Sequence, residues 1–476
     1  YTSPVETNKR IMFLVDNGES AINVIFDTPT QASIDSDHPM AEGDVGVQGT
    51  PIDMLVDMKE LTGDIPLDQV SFMLSTGPFV SSFYIANLIN QGYDISKIRG
   101  TDPNEFLGRA FCSFTPGATA MPEAHSPRIC MDKIAFLLRE MPKWYPLNIN
   151  SYNIRENGVT PAQEMGFVIA TARWYLKNIQ ERGFSVDDLA PKMTFTCGVH
   201  IDFFEEVAKF RSARRLWARM LKEEFNAQNP RSMQFRYHVN TAGCSLERQQ
   251  PLNNIIRVAY EAMAAVMGGA QSLQTASYDE AICLPTEQAQ MLALNTQHIL
   301  AHEAGMANVV DPLGGSYYVE SLTNRMEEEI RAVVDAIEDR GGILEALKSG
   351  YITSEVENSA FKYQSEVENK ERVVVGVNEF TVDEDKDHDI DLHKIDTEIV
   401  EAHVQRLVEH KKNRDRDNTA RALEKLHNVT ARTDDNIIYP IIEAINEGAS
   451  LGEITGVVRM AHELSFDPME MVEYPF

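Results

Sequence analysis

The chain has 476 residues, 43% hydrophobic and 24% charged, and a formal net charge of −29. That is an ordinary globular composition, long for one compact domain and too acidic for a general nucleic-acid partner, which needs a basic surface. Its five cysteines are scattered without CxxC spacing and no apolar run reaches membrane-spanning length, so a reducing cytoplasm fits, and a disulfide framework, a zinc site or a membrane does not.

In chain order, the first strand signal covers 21–28 (AINVIFDT) and runs into FDTPTQ. Residues 71–76 (SFMLST) lead into Gly77-Pro78, and 98–101 (IRGT) form a short third segment. Residues 147–152 (LNINSY) and 193–198 (MTFTCG) alternate apolar with small polar side chains. Segments 234–240 and 271–276 enclose a helix over 253–267, which Gly268 and Gly269 stop. The eighth signal, 308–311 (NVVD), precedes Pro312-Leu313-Gly314-Gly315. Amphipathic helices over 164–182, 203–224, 253–267 and 288–303 separate several of these strands. Eight parallel strands alternating with helices predict an α/β fold, the (β/α)8 TIM barrel. No Gly-x-Gly-x-x-Gly turn follows a strand, which disfavours an open doubly wound sheet.

The strands are unusually polar. Parallel strands that fill a dry core are rich in Val, Ile and Leu. These carry Asn148, Asn150, Thr194, Thr196, His238, Asn240, Gln271 and Ser272. Alternation puts the apolar set against the helices and the polar set on the axis. Small polar groups facing inward need a polar occupant, so the predicted barrel has a polar-lined axis holding a long polar ligand.

FDTPTQASIDSDHPMAEGDVG (26–46), RRLWARM (214–220), NNIIRVAYEAMAAVMGGAQSLQTASYDEAICLPT (253–286), DPLGGSYYVE (311–320) and VVVGVNEF (373–380) resemble the substrate-binding barrel of the methylmalonyl-CoA mutase family. The resemblance implies an adenosylcobalamin-dependent acyl-CoA mutase. The pantetheine arm of CoA would thread the barrel, and cobalamin would sit on a separate domain at the carboxyl ends of the strands. On this basis residues 1–380 are an acyl-CoA-binding barrel, 381–396 an acidic linker and 397–476 a helical C-terminal extension, with helices at 397–426, 437–442 and 451–464. Asp391 and His393 look like part of a cobalamin-binding Asp-x-His-x-x-Gly, but Asp396 stands in place of the Gly and no strand precedes, so the match is taken as coincidence. No cobalamin-binding domain lies within the chain, so it is expected to be the large subunit of a two-chain mutase, such as an isobutyryl-CoA or 2-hydroxyisobutyryl-CoA mutase. A small subunit would supply the cobalt-ligating His.

Family roles carry over residue by residue. Glu280 and Ala281 match the positions holding the adenosyl ribose. Phe26, Gln31, Tyr152, Glu156 and Gly243 match the corrin-facing surface. Thr101, Lys192, Thr194, Gln271 and His238 match the region around CoA and its thioester, His238 as a hydrogen-bond donor. Asn240 replaces a Gln near the adenosyl group. Where the family reads Gly-Tyr-His, this chain reads Ser151-Tyr152-Asn153, so Asn153 can donate a hydrogen bond but cannot act as an acid. Ser113 replaces the Arg that clamps a substrate carboxylate, and Pro103 a nearby Gln, which argues for a substrate without a free carboxylate. The resemblance also implies two large and two small subunits and a G-protein chaperone. The same substitutions leave an alternative, a non-catalytic structural subunit of a methylmalonyl-CoA mutase-type complex.

Overall fold

The computed structural model describes residues 1–16, 21–75, 77–107, 121–122, 125–283, 285–306, 308–382 and 396–476. It divides into two compact units, residues 1–148 with 395–476, and residues 149–394. Strands β1 (Ala21–Ile25), β2 (Ser71–Ser75), β3 (Gly100–Thr101) and β4 (Trp144–Tyr145) form one sheet in sequence order. Strands β5 (Leu147–Asn150), β6 (Met193–Val199), β7 (Tyr237–Thr241) and β8 (Ser272–Gln274) form a second, again in sequence order. The pairings within β1–β4 and within β6–β8 are parallel, and helical crossovers join the strands, so the α/β class holds. Neither sheet closes on itself.

Seven of the expected strand segments contain a strand; the eighth does not. Residues 308–311 are a run of bends, with Asp311 at φ 50° and Val310 98% exposed. Val309 and Val310 are both exposed, and the backbone turns away at the left-handed Asp311. The strand missing from the expected set is β4, two aromatic residues ahead of Pro146 that give no alternation to read.

In the first unit Ile22 and Val24 of β1 and Phe72 and Leu74 of β2 pack with Phe83 and Tyr84 of the helix Pro78–Asn90. Leu423, Leu426, Ile441 and Ile454 of the C-terminal helices belong to the same core. Burying each such side chain stabilises by about 1.5–3 kcal/mol, so this tail is bound to the unit's interior. The single helix expected over 397–426 is two, Thr397–Asn413 and Arg416–Arg432. Arg414 is extended and Asp415 caps the second helix by accepting from Asn418 N at 3.1 Å. Charged residues of high helix propensity hid that break. Of the acidic stretch 381–396, including Asp391 and His393, residues 383–395 lie outside the described residues.

The second unit keeps the predicted alternation. Phe195 of β6 stacks on Phe235 at 4.2 Å and meets the edge of Trp217 at 5.2 Å; Tyr237 of β7 stacks on Phe210 at 4.8 Å. The helices are Pro161–Glu181, Phe203–Arg219 with a following π-turn, Asn253–Gly268, Glu287–His302 and Tyr317–Glu338, among others. Gly269, at φ 88°, ends the third by donating its N–H to the carbonyls of Ala265 and Val266. No described helix is long and apolar enough to cross a membrane.

Candidate functional site

Residues paired across parallel strands share a face. Thr196, His238 and Ser272 form one such row of the second sheet, and Gly198, Asn240 and Gln274 the next. Thr194, two residues before Thr196, lies on that face too. It is the face opposite Phe195 and Tyr237, and it is polar. His238 Nδ1 lies 2.7 Å from Ser272 Oγ. Burial lowers the His238 pKa, so the ring is neutral at pH 7. Asn150 Oδ1 is buried without a hydrogen-bond partner among the described residues. Such an orphaned acceptor calls for a donor from a ligand or a water.

β7 runs from His238 through Asn240 into the 3-10 turn Gly243–Ser245. Opposite this turn stands the short helix Tyr152–Glu156, which follows β5. Glu156 Oε2 accepts from Cys244 N at 2.7 Å, while its Oε1 is buried without a partner. A Cβ on Gly243 would lie 2.6 Å from Glu280 Oε1 and 3.2 Å from Glu156 Oε2. Only glycine leaves both carboxylates in place. Burial raises Glu156 to about 7, against the hydrogen bond from Cys244. Burial, then the Asp279 charge, raises Glu280. Burial and these two carboxylates push the Tyr152 phenol up, so it stays protonated. Asp279 holds the loop beyond Glu280 and the exposed Ala281, accepting from Thr286 N at 3.0 Å and Thr286 Oγ1 at 2.7 Å.

The structure therefore brings Tyr152, Asn153, Glu156, Gly243, Glu280 and Ala281 to one end of the polar face that carries Thr194, His238 and Asn240. Asn153 follows Tyr152 on the same helix, and its carbonyl accepts from Asn157 Nδ2 at 2.7 Å. Lys192 sits in the turn that enters β6, with its pKa lowered by burial. Gln271 is placed differently from His238. Its Oε1 accepts from Tyr237 N at 2.7 Å and its Nε2 donates to Gly269 O at 2.9 Å, so it braces the entry to β7 and β8. Thr101, Phe26 and Gln31 belong to the first unit. Thr101 Oγ1 donates to Tyr145 O at 3.0 Å, Phe26 is fully buried, and Gln31 Nε2 donates to Phe26 O at 2.6 Å. Ser113 lies outside the described residues.

Two residues at the site carried no role in the sequence reading. Ser272 is the hydrogen-bond partner of His238; the period-two pattern of β8 was its only signal. Glu261, fully buried on the helix Asn253–Gly268, lies against Ser245 and Ala242, and burial drives its pKa well above the carboxylate range against the hydrogen bonds those two offer. A lone Glu among alanines and methionines (YEAMAAVMGG) was the available hint.

Residues 1–463 match the family described as Methylmalonyl-CoA mutase. The chain is 37% identical over 452 residues to the 2-hydroxyisobutanoyl-CoA mutase large subunit of Aquincola tertiaricarbonis, covering 94% of this chain and 80% of that protein. It is 39% identical over 449 residues to the methylmalonyl-CoA mutase of Rhizobium meliloti (strain 1021), covering 93% and 62%. Against the mitochondrial methylmalonyl-CoA mutase of Homo sapiens it is 33% identical over 464 residues, covering 96% and 61%. The chain spans about three fifths of the length of these two methylmalonyl-CoA mutases. It belongs to the methylmalonyl-CoA mutase family of isomerases.

Proposed function

We propose that the chain is the large, substrate-binding subunit of a coenzyme B12-dependent acyl-CoA mutase. It would rearrange a short branched or hydroxy acyl-CoA thioester without a free carboxylate. One observation carries this reading: a polar sheet face with a neutral His238 leads into a turn where Gly243 leaves room between Glu156 and Glu280. The finer reading of the α/β fold is a (β/α)8 barrel with a polar-lined axis. With Ser272 donating to His238 Nδ1, Nε2 carries the proton and can donate to the thioester oxygen. Lys192 offers a cation to a CoA phosphate, and Thr194 and Thr101 offer hydroxyls along the acyl-pantetheine chain. Gln271 shapes that groove by holding the strand entry.

The acceptors at the Gly243 turn fit adenosylcobalamin. Glu280 and the unpartnered Glu156 oxygen suit ribose hydroxyls, and the missing Cβ leaves space for the group. When bound, this cofactor supplies radical chemistry. The chain's own share is to hold and orient. Tyr152, kept protonated, and Asn153, an amide donor, present hydrogen bonds beside the thioester end, and Glu156 offers a polar group toward the corrin. A small cobalamin-binding subunit would ligate the cobalt, in an assembly of two large and two small subunits served by a G-protein chaperone. Support for a substrate without a carboxylate comes from Ser113 in place of the family's Arg, and from the name of the Aquincola relative.

The test combines the chain with a small cobalamin-binding subunit, adenosylcobalamin, and isobutyryl-CoA or 2-hydroxyisobutyryl-CoA. Rearranged thioester is the expected product. Failure of both turnover and thioester binding would instead support the non-catalytic structural subunit.

A further inference from the structure

Behind the helix Tyr152–Glu156 lies a cluster of charges to which no role has been given above. Glu164, Glu206 and Lys209 are fully buried, and Arg155 is 9% exposed. Lys209 Nζ donates to Glu164 Oε2 at 2.8 Å and to the Gly198 carbonyl at 2.7 Å, and pairs with Glu206. Glu164 Oε1 accepts from Gly198 N at 3.0 Å and from Ser151 Oγ at 2.8 Å. Arg155 donates to Glu206 at 3.2 Å and to Val159 O at 2.6 Å.

The position of Gly198 explains the arrangement. In a parallel sheet, alternate residues of an inner strand direct both backbone polar groups to the same neighbour. On β6, Thr196 faces β5, and its carbonyl accepts the Ser151 N–H at 2.8 Å. Gly198 is the next residue on that side, but β5 has ended at Asn150. Its N–H and carbonyl would be buried orphans. Glu164 takes the first and Lys209 the second. Apolar side chains could do neither. The chain leaving β5 turns at Ser151, tied to the same Glu164 oxygen, and its Arg155 stem fills the space where a Cβ on Gly198 would lie 2.7 Å from Arg155 Cγ.

We propose that Glu164 and Lys209 are positioning residues: they stand in for strand β5 beyond Asn150 and fix the helix that presents Tyr152, Asn153 and Glu156 to the end of the polar face. The consequence for turnover rests on the function proposed above; the placement of the helix does not.

Ser151→Ala and Glu164→Gln in the full chain test this. Ser151→Ala keeps every ion pair and so keeps the fold. The readout is hydrogen–deuterium exchange over residues 151–157, 161–181 and 237–241, without cofactor or substrate. Exchange over 151–157 is expected to quicken by about threefold to tenfold in Ser151→Ala, and further in Glu164→Gln, with 237–241 unchanged. With thioester and cofactor present, kcat falls while KM moves by less than about twofold. Unchanged exchange over 151–157 in both variants overturns the proposal, as does equal quickening of all three segments, which is a general loss of stability. If the unaltered protein turns over no thioester, the functional reading fails, and the exchange data still decide whether the cluster holds the helix.

Discussion

Two groups of carboxylates sit in the same unit and behave in opposite ways. Glu164 and Glu206 face Lys209 and Arg155, two anions against two cations. Burial pushes Glu206 up, but Lys209 and then Arg155 outweigh it and leave its pKa below the usual value. Glu156, Glu280 and Glu261 surround the Gly243 turn instead, and burial raises all three. The first group has its counter-charges built in and serves the fold. The second has no cation built in, and Glu156 Oε1 is unpartnered among the described residues. A site that waits for ligand hydroxyls is expected to be short of donors in this way.

That contrast can be broken most forcefully from its balanced side. Lys209→Met leaves Glu164 and Glu206 buried with Arg155 as their one remaining cation and is expected to cost about 3–5 kcal/mol in denaturant unfolding, while pairing it with Glu164→Gln recovers part of the loss. The acid-rich side shows itself in pH dependence. Glu156 moves from 4.5 to about 7 on folding, so the native state binds more protons across that window. The contribution of this carboxyl is therefore fullest below pH 4.5, declines by up to about 3 kcal/mol as pH rises to 7, and is flat above. Glu156→Gln removes that share of the slope in a pH series of thermal or denaturant melts, leaving the share of Glu280 and Glu261. Gly243→Ala places a methyl against Glu280 and Glu156. It is expected to weaken adenosylcobalamin binding by the reconstituted enzyme about tenfold, the loss of one hydrogen bond to a charged group, in a cofactor titration. The smallest change is Ser272→Ala. It frees the His238 tautomer and lowers thioester affinity by about threefold, read by calorimetry.

Much of the second sheet was legible in the sequence because side-chain alternation is local. Thr194 and Thr196 against Met193 and Phe195 announce two faces, and the structure separates them in that way. The helix 253–267 was equally plain from its glycine pair, though Gly269 alone ends it; Gly268 is its last residue, where a Cβ would lie 2.6 Å from Phe210. What stayed hidden depends on partners far along the chain. Glu164 and Lys209 are separated by more than forty residues, and nothing local says that both reach Gly198. β4 is too short to show a period, and 308–311 offered β-branched residues with no neighbouring strand to receive them. His238 was visible as an odd strand residue, but its tautomer depends on Ser272 across the β7–β8 pairing. The site's glycine was matched through a resemblance; the reason for it, two carboxylates within reach of one missing Cβ, needed coordinates.

Binding of a CoA thioester to the polar face tests the account most directly. Isobutyryl-CoA and 2-hydroxyisobutyryl-CoA would be titrated calorimetrically into the unaltered chain and into His238→Ala, without cofactor. Saturable binding at one site per chain, weakened about tenfold or more by the substitution, is the predicted result. Equal affinity in the two proteins, or no binding to the unaltered chain, would contradict it.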